Sequence, residues 1–138
     1  MFQVQATVAN PKDVTRSFRE AFWVDTGAYH NFVPEDRLRQ IGVEPMRTRE
    51  FVLADGRRER RLVGECLFTI EGLDGSATCQ VVFGPPGSLY LLGASALEAF
   101  TAGVDPLGQK LTPIIAVIAA VRAGFAEQPS HVPGRYGP

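Results

Sequence analysis

The chain is poor in the residues that build metal centres. Its 138 residues include two cysteines and two histidines. Cys66 and Cys79 have no C-x-x-C partner, and His30 and His131 lie far apart, so the usual zinc spacings are missing and no metal or cofactor is expected. Charge of one sign is not in excess either: 14 basic residues face 15 acidic ones, for a formal net charge of −1. Such a balance gives no global pull toward nucleic acid or anionic lipid, and neither is expected as a partner. The longest apolar run, Ile114 to Val121, has eight residues, well short of the ~18 that span a bilayer. The start of the chain, MFQVQATVANPKD, has no basic stretch leading into an apolar one, which argues against a secretory signal and for a cytoplasmic protein. There is no internal repeat, no G-x-G-x-x-G or Walker loop, and no G-x-S-x-G elbow.

Glycine and proline are plentiful instead, with 14 and 10 copies, which suits many turns and short strands better than a helical bundle. Phe2 to Val8 alternates apolar and polar residues and reads as a strand that Asn10-Pro11 ends. Phe18 to Val24, Arg49 to Ala54, Arg61 to Ile70, Ala77 to Phe83 and Leu89 to Leu92 read as further strands. Pro34 suits the first position of a short helix that carries Glu35 and Asp36 in its first turn and stops at Gly42. Ser95 suits the cap of a second helix, and Leu111 to Val121 reads as a last strand. This pattern predicts an all-β domain over 1–122 with one or two short helices, and a flexible C-terminal tail over 123–138.

The segment Leu73-Asp74-Gly75-Ser76 reads as a two-residue Asp-Gly hairpin turn. That register sets Cys79 opposite Ile70 and Cys66 opposite Phe83. The two sulfurs then sit on one sheet face about 13 Å apart, too far for a disulfide and consistent with two packed thiols.

Among fifteen acidic residues, Asp25 stands apart. It follows Phe22-Trp23-Val24 and precedes Thr26-Gly27-Ala28, so an apolar strand carries a carboxylate inward and then turns. An unpaired buried carboxylate is costly; the Thr26 hydroxyl and the Gly27 and Ala28 amides can compensate it. Read locally, this could be no more than an Asp capping its own turn. Further on, Leu91-Leu92-Gly93 gives an apolar-apolar-Gly step that leads into a short helix. Asp-Thr-Gly-Ala, a hairpin beginning Leu53-Ala54-Asp55-Gly56, Leu91-Leu92-Gly93 with Leu97 beyond it, and a late Val104-Asp105-Pro106 occur in that order. In this arrangement the chain resembles the retropepsin-like family, the single-domain aspartic proteases of retroviruses and their bacterial relatives.

The resemblance implies a closed acid-protease barrel equivalent to half of a pepsin-like enzyme. It also implies a C2 homodimer, because one chain supplies one Asp-Thr-Gly and the chemistry needs two carboxylates. Asp25 would be the catalytic group, activating water together with its copy to hydrolyse peptide bonds. Thr26 would bond across the dimer axis, Gly27 would admit the substrate backbone, and Ala28 stands where many two-lobed enzymes carry Ser. With that hydroxyl donor missing, the implied activity optimum is only mildly acidic. Leu53, Ala54, Asp55 and Gly56 would form a flap over the substrate, although the tip, ADGRRER, has one Gly where the best-known flaps have several. Val24, Phe51, Leu53, Leu91 and Leu92 are candidates for the groove wall, and His30 is a polar residue near the cleft. The expected partners are a second copy of the chain and a peptide or protein substrate. The alternative is a catalytically silent peptide- or protein-binding module of the same fold. The arginine-rich stretch from Arg47 to Arg61 reads as a solvated hairpin with internal ion pairs, as a preference for acidic substrates, or as an RNA or DNA contact, the last disfavoured because no aromatic residues are interleaved to stack on bases.

Overall fold

The structure, a computed structural model, describes residues 1–114. Seven strands form one sheet: β1 (Phe2–Asn10), β2 (Asp13–Val24), β3 (Asn31–Pro34), β4 (Arg47–Val52), β5 (Arg58–Ile70), β6 (Ser76–Gly84) and β7 (Leu91–Leu92). Their order is β1-β2-β7-β3-β6-β5-β4, and a further β1–β5 pairing joins the sheet back on itself. Helix α1 (Glu35–Gln40) follows β3 and helix α2 (Ala94–Phe100) follows β7. Strands β8 (Ala102–Asp105) and β9 (Lys110–Pro113) make a separate two-stranded sheet. The molecule is thus mostly β with two short helices, as the turn-rich sequence predicts. The apolar run beyond Ile114 and the boundary near residue 122 lie outside the described residues.

The ring encloses Val8, Phe22, Val33, Phe68, Ile70, Val81, Phe83 and Leu92, all nearly inaccessible to solvent. Phe22 meets Phe68 edge-on, with ring centroids 5.8 Å apart, the geometry that the aromatic quadrupoles favour. Helix α1 closes one side because its apolar positions, Leu38 and the following Ile41, are both buried. Pro34 is the residue just outside α1, not its first turn, and Gly42 after it adopts φ +80°.

The β5–β6 hairpin departs from the sequence reading. Cys66 pairs directly with Cys79, and Val63 with Val82. The turn spans residues 71–75, longer than the expected two-residue connection, and uses positive φ at both Gly72 and Gly75. The two registers differ by an even number of residues, so both send the same side chains inward and hydrophobic alternation cannot choose between them. Leu73 decides: in the longer turn its N–H donates to the Ile70 carbonyl at 3.1 Å and its side chain packs against the core. The two sulfurs therefore belong to facing residues rather than distant ones, and both remain free, buried thiols. Burial, then the neighbouring Cys79 and Glu65, pushes Cys66 up to about 12; burial pushes Cys79 up to about 11. Thiolate is the reactive form, so native protein at pH 8 is expected to resist alkylation by iodoacetamide at both positions, with labelling appearing only on unfolding. Mass spectrometry after a timed pulse, with and without denaturant, checks this.

Candidate active site

Strand β2 runs parallel to β7, with Trp23 opposite Leu91 and Val24 opposite Leu92. This pairing brings together two motifs that are far apart in the chain. The Asp25 N–H donates to the Leu92 carbonyl at 3.0 Å, so the carboxylate is presented from the last residue tied to the sheet. A tight turn follows, closed by the Ala28 N–H on the Asp25 carbonyl at 3.1 Å. The Gly27 N–H points back and donates to Asp25 Oδ1 at 2.9 Å. A Cβ on Gly27 would lie 3.3 Å from that oxygen, so glycine leaves the carboxylate its room. Asp25 is half-buried rather than fully enclosed, and Thr26 is exposed. One carboxylate oxygen is held by the loop while the group keeps access to solvent.

Gly93 locks this loop from below. An added Cβ there would lie 2.5 Å from the His30 carbonyl oxygen and 2.7 Å from those of Ala28 and Tyr29. The same loop carbonyls serve α2: the Ala94 N–H donates to Ala28 O at 2.7 Å and the Ser95 N–H to Tyr29 O at 3.0 Å. They satisfy the amides that open a helix. Ser95 is therefore not the cap that the sequence suggests; Gly93 holds that position without a side-chain bond.

Asn31 is the residue that sequence reasoning missed. It is fully buried, and it bonds in three directions. Its Oδ1 accepts the Gly93 N–H at 2.8 Å, and its Nδ2 donates to Gln80 O at 2.9 Å and to Ser95 Oγ at 3.1 Å. One side chain thereby ties the loop after Asp25 to the Gly93 step, to β6 and to α2. A polar residue at the start of the apolar Phe32-Val33-Pro34 run is the only hint that the sequence offers.

Two different surroundings flank Asp25. On one side is a cleft of about 380 Å³ lined by Met1, Phe2, Val24, Thr26, Val104 and Pro106, among others. Of its lining, Met1 is 73% exposed, and Leu107, the residue after Pro106, is 96% exposed among the described residues. On the other side the loop continues into aromatic residues. Tyr29 meets His30 edge-on at 5.2 Å between centroids, and His30 meets Phe51 of β4 at 5.1 Å. Desolvation, then the positive charge of Arg49, holds the His30 imidazole below its ordinary range.

Leu53, Ala54, Asp55 and Gly56 form the tip between β4 and β5. The Leu53 N–H donates to Arg57 O at 2.7 Å, and Gly56 takes φ +89°. Asp55 is tied to Arg57 by an Nε–Oδ2 contact of 2.6 Å, and the Arg57 contacts hold its carboxyl below the usual range. Of the expected wall residues, Phe51 does reach the loop after Asp25. Val24, though almost fully buried, lines the cleft beside Asp25 as well, whereas Leu92 is wholly inside the core.

No family model matches the chain. No curated protein matches it either. Solved structures do: a foamy viral protease-reverse transcriptase in complex with an RNA/DNA hybrid superposes with a TM-score of 0.50 at 16% identity. The match covers 84% of this chain and 13% of that one, so the present chain spans a small fraction of the viral protein. That protein is held on an RNA/DNA hybrid, and the exclusion of nucleic acid drawn from overall charge and from the lack of interleaved aromatics is accordingly withdrawn. Net charge averages over a chain and does not register a local cluster such as the arginines of β4 and β5. At this identity the likeness is one of fold: the chain shares a protease-like, mostly β architecture with a viral protein that contains a protease.

Proposed function

We propose that the protein is an aspartic endopeptidase that works as a homodimer, with Asp25 from each copy flanking one water molecule. The observation that carries this reading is the loop itself. A carboxylate stands at the end of a sheet strand, fixed through one oxygen by the Gly27 amide and otherwise accessible. Met1 lines the same cleft as Asp25 and is 73% exposed among the described residues, which favours a second copy there over solvent.

Two carboxylates about 3 Å apart repel by roughly 5 kcal/mol at an effective dielectric near 20. They therefore share one proton. The ionised member takes a proton from water, which attacks the scissile carbonyl carbon. The protonated member hydrogen-bonds the carbonyl oxygen and supplies its proton as charge develops there. No covalent acyl-enzyme forms. Thr26 serves the dimer axis, Gly27 and Ala28 admit the substrate backbone, and the Leu53–Gly56 tip closes over it. Leu91, Leu92 and Gly93 support the loop from beneath.

Dilution tests the reading. Specific activity on an unstructured protein is expected to fall as the protein is diluted through the dimer dissociation range, in step with the dimer fraction seen by sedimentation. A statine-type inhibitor is expected to block the remainder. Full activity from a strictly monomeric species would end the proposal.

A further inference from the structure

We propose that the protein selects acidic peptides, and that Arg49 and Arg47 on the inner face of β4 read carboxylates at alternate positions of an extended substrate; the inference rests on the protease reading above.

The register of β4 and β5 sets the faces. Arg47 lies opposite Val63, Arg49 opposite Arg61, and Phe51 opposite Glu59. Residues directly opposite share a face, and neighbours along a strand alternate. Arg47, Arg49 and Phe51 therefore stand on one face, and Phe51 identifies it as the side turned toward His30 and the loop of Asp25. Arg49 is close enough to His30 for its charge, after desolvation, to help hold the imidazole below its ordinary range, in keeping with that face.

Most arginines of this hairpin are committed. Arg57 pairs with Asp55 at 2.6 Å and Arg58 with Glu50 at 3.1 Å. Arg61 donates through Nε to the Phe83 carbonyl at 2.9 Å and lies 3.6 Å from Glu59. Arg47 and Arg49 have no carboxylate partner among the described residues, and both are exposed. Arg60 is free in the same sense, but it lies opposite Glu50 on the outer face. The inner face thus carries Arg47, Arg49 and Arg61 against Glu59 alone. Arg47 and Arg49 have no counter-ion there among the described residues, and an incoming anion supplies one.

Strand geometry gives the spacing. Arg47 and Arg49 are two residues apart, about 6.6 Å along the strand. A peptide lying extended beside β4 presents every second side chain to one face at the same repeat. Carboxylates at alternate positions then meet both guanidiniums, with Phe51 and His30 packing the apolar residue beyond.

The test measures binding separately from cleavage. An inactive Asp25→Asn protein is titrated with a fluorescent extended peptide carrying Glu-x-Glu, and with its Gln-x-Gln twin. The acidic peptide is expected to bind about tenfold more tightly at low salt, with the preference shrinking as salt screens the charges. Arg49→Glu is expected to erase or invert the preference. Arg60→Glu, the same charge change on the outer face, is expected to preserve it. Equal binding of the two peptides would overturn the proposal, as would an equal loss of preference in both variants. Loss of RNA/DNA-hybrid binding in Arg49→Glu, with no peptide preference in its parent, would reassign the face to nucleic acid and also overturn it. The same peptides offered to the unaltered protein separate the two readings. Selective binding with no cleavage supports the acidic specificity and defeats the endopeptidase; cleavage without selectivity does the reverse.

Discussion

Asp25→Asn is expected to abolish peptide cleavage while leaving the fold and its melting temperature essentially unchanged. The substitution is nearly isosteric, and the one bond that the side chain makes, accepting the Gly27 N–H at 2.9 Å, survives on an amide oxygen. What disappears is proton chemistry. An amide neither takes a proton from water nor holds one for a developing oxyanion. A positioned general acid or base contributes about 10²–10⁴ in rate, and in a homodimer a single substitution removes both at once. A loss of at least ~10³-fold is therefore expected, measured on an unstructured protein between pH 4 and 7 at matched concentration. The melting temperature is the control, and a modest rise is compatible because two facing carboxylates no longer repel. Equal rates for both proteins would take Asp25 out of the chemistry. A large fall in melting temperature would instead make it a structural residue that caps its own turn.

Much of this site was legible in the sequence because its signals are local. An acid closing an apolar strand, a glycine two residues later and a second apolar strand ending in glycine each declare themselves without tertiary information. The β2–β7 pairing then joins them, with Asp25 bonded to Leu92 through the backbone. Three features were not legible, for different reasons. The β5–β6 register was hidden because both alternatives keep the same residues inward, leaving the fold-back of Leu73 to choose. Asn31 was hidden because burial of a polar side chain is visible only once its three partners are in place. The groove wall was only partly legible: Val24 lines the cleft beside Asp25 as expected, but Leu92 alternates wholly into the core, and Phe51 and His30 meet across a distance that periodicity does not encode.

The second large effect is expected at Gly93, where Gly93→Ala should cost about 3 kcal/mol or more and cleavage activity with it. The reason is space rather than backbone conformation. Gly93 has φ −98° and ψ −171°, an extended geometry open to any L-residue. The new methyl would lie 2.5–2.7 Å from three carbonyl oxygens, those of His30, Ala28 and Tyr29. These are backbone atoms and cannot rotate aside as a flexible side chain would. Two of them also accept the opening amides of α2, so displacing them breaks bonds that have no replacement partner. Overpacking of this kind costs roughly 1–3 kcal/mol, and more where neighbours are fixed. For a domain of this size, about 3 kcal/mol lowers the melting temperature by roughly 10 °C. The displaced segment is the loop that presents Asp25, so activity measured well below the melting temperature should fall as well. Gly56→Ala supplies the contrast. That glycine has φ +89° and nothing within 4 Å of an added Cβ, so the same chemical change meets only backbone strain of about 1 kcal/mol at an exposed tip. If the two variants melt together within a degree or two of the parent, the three carbonyls yield, and Gly93 does not hold the loop of Asp25 in place.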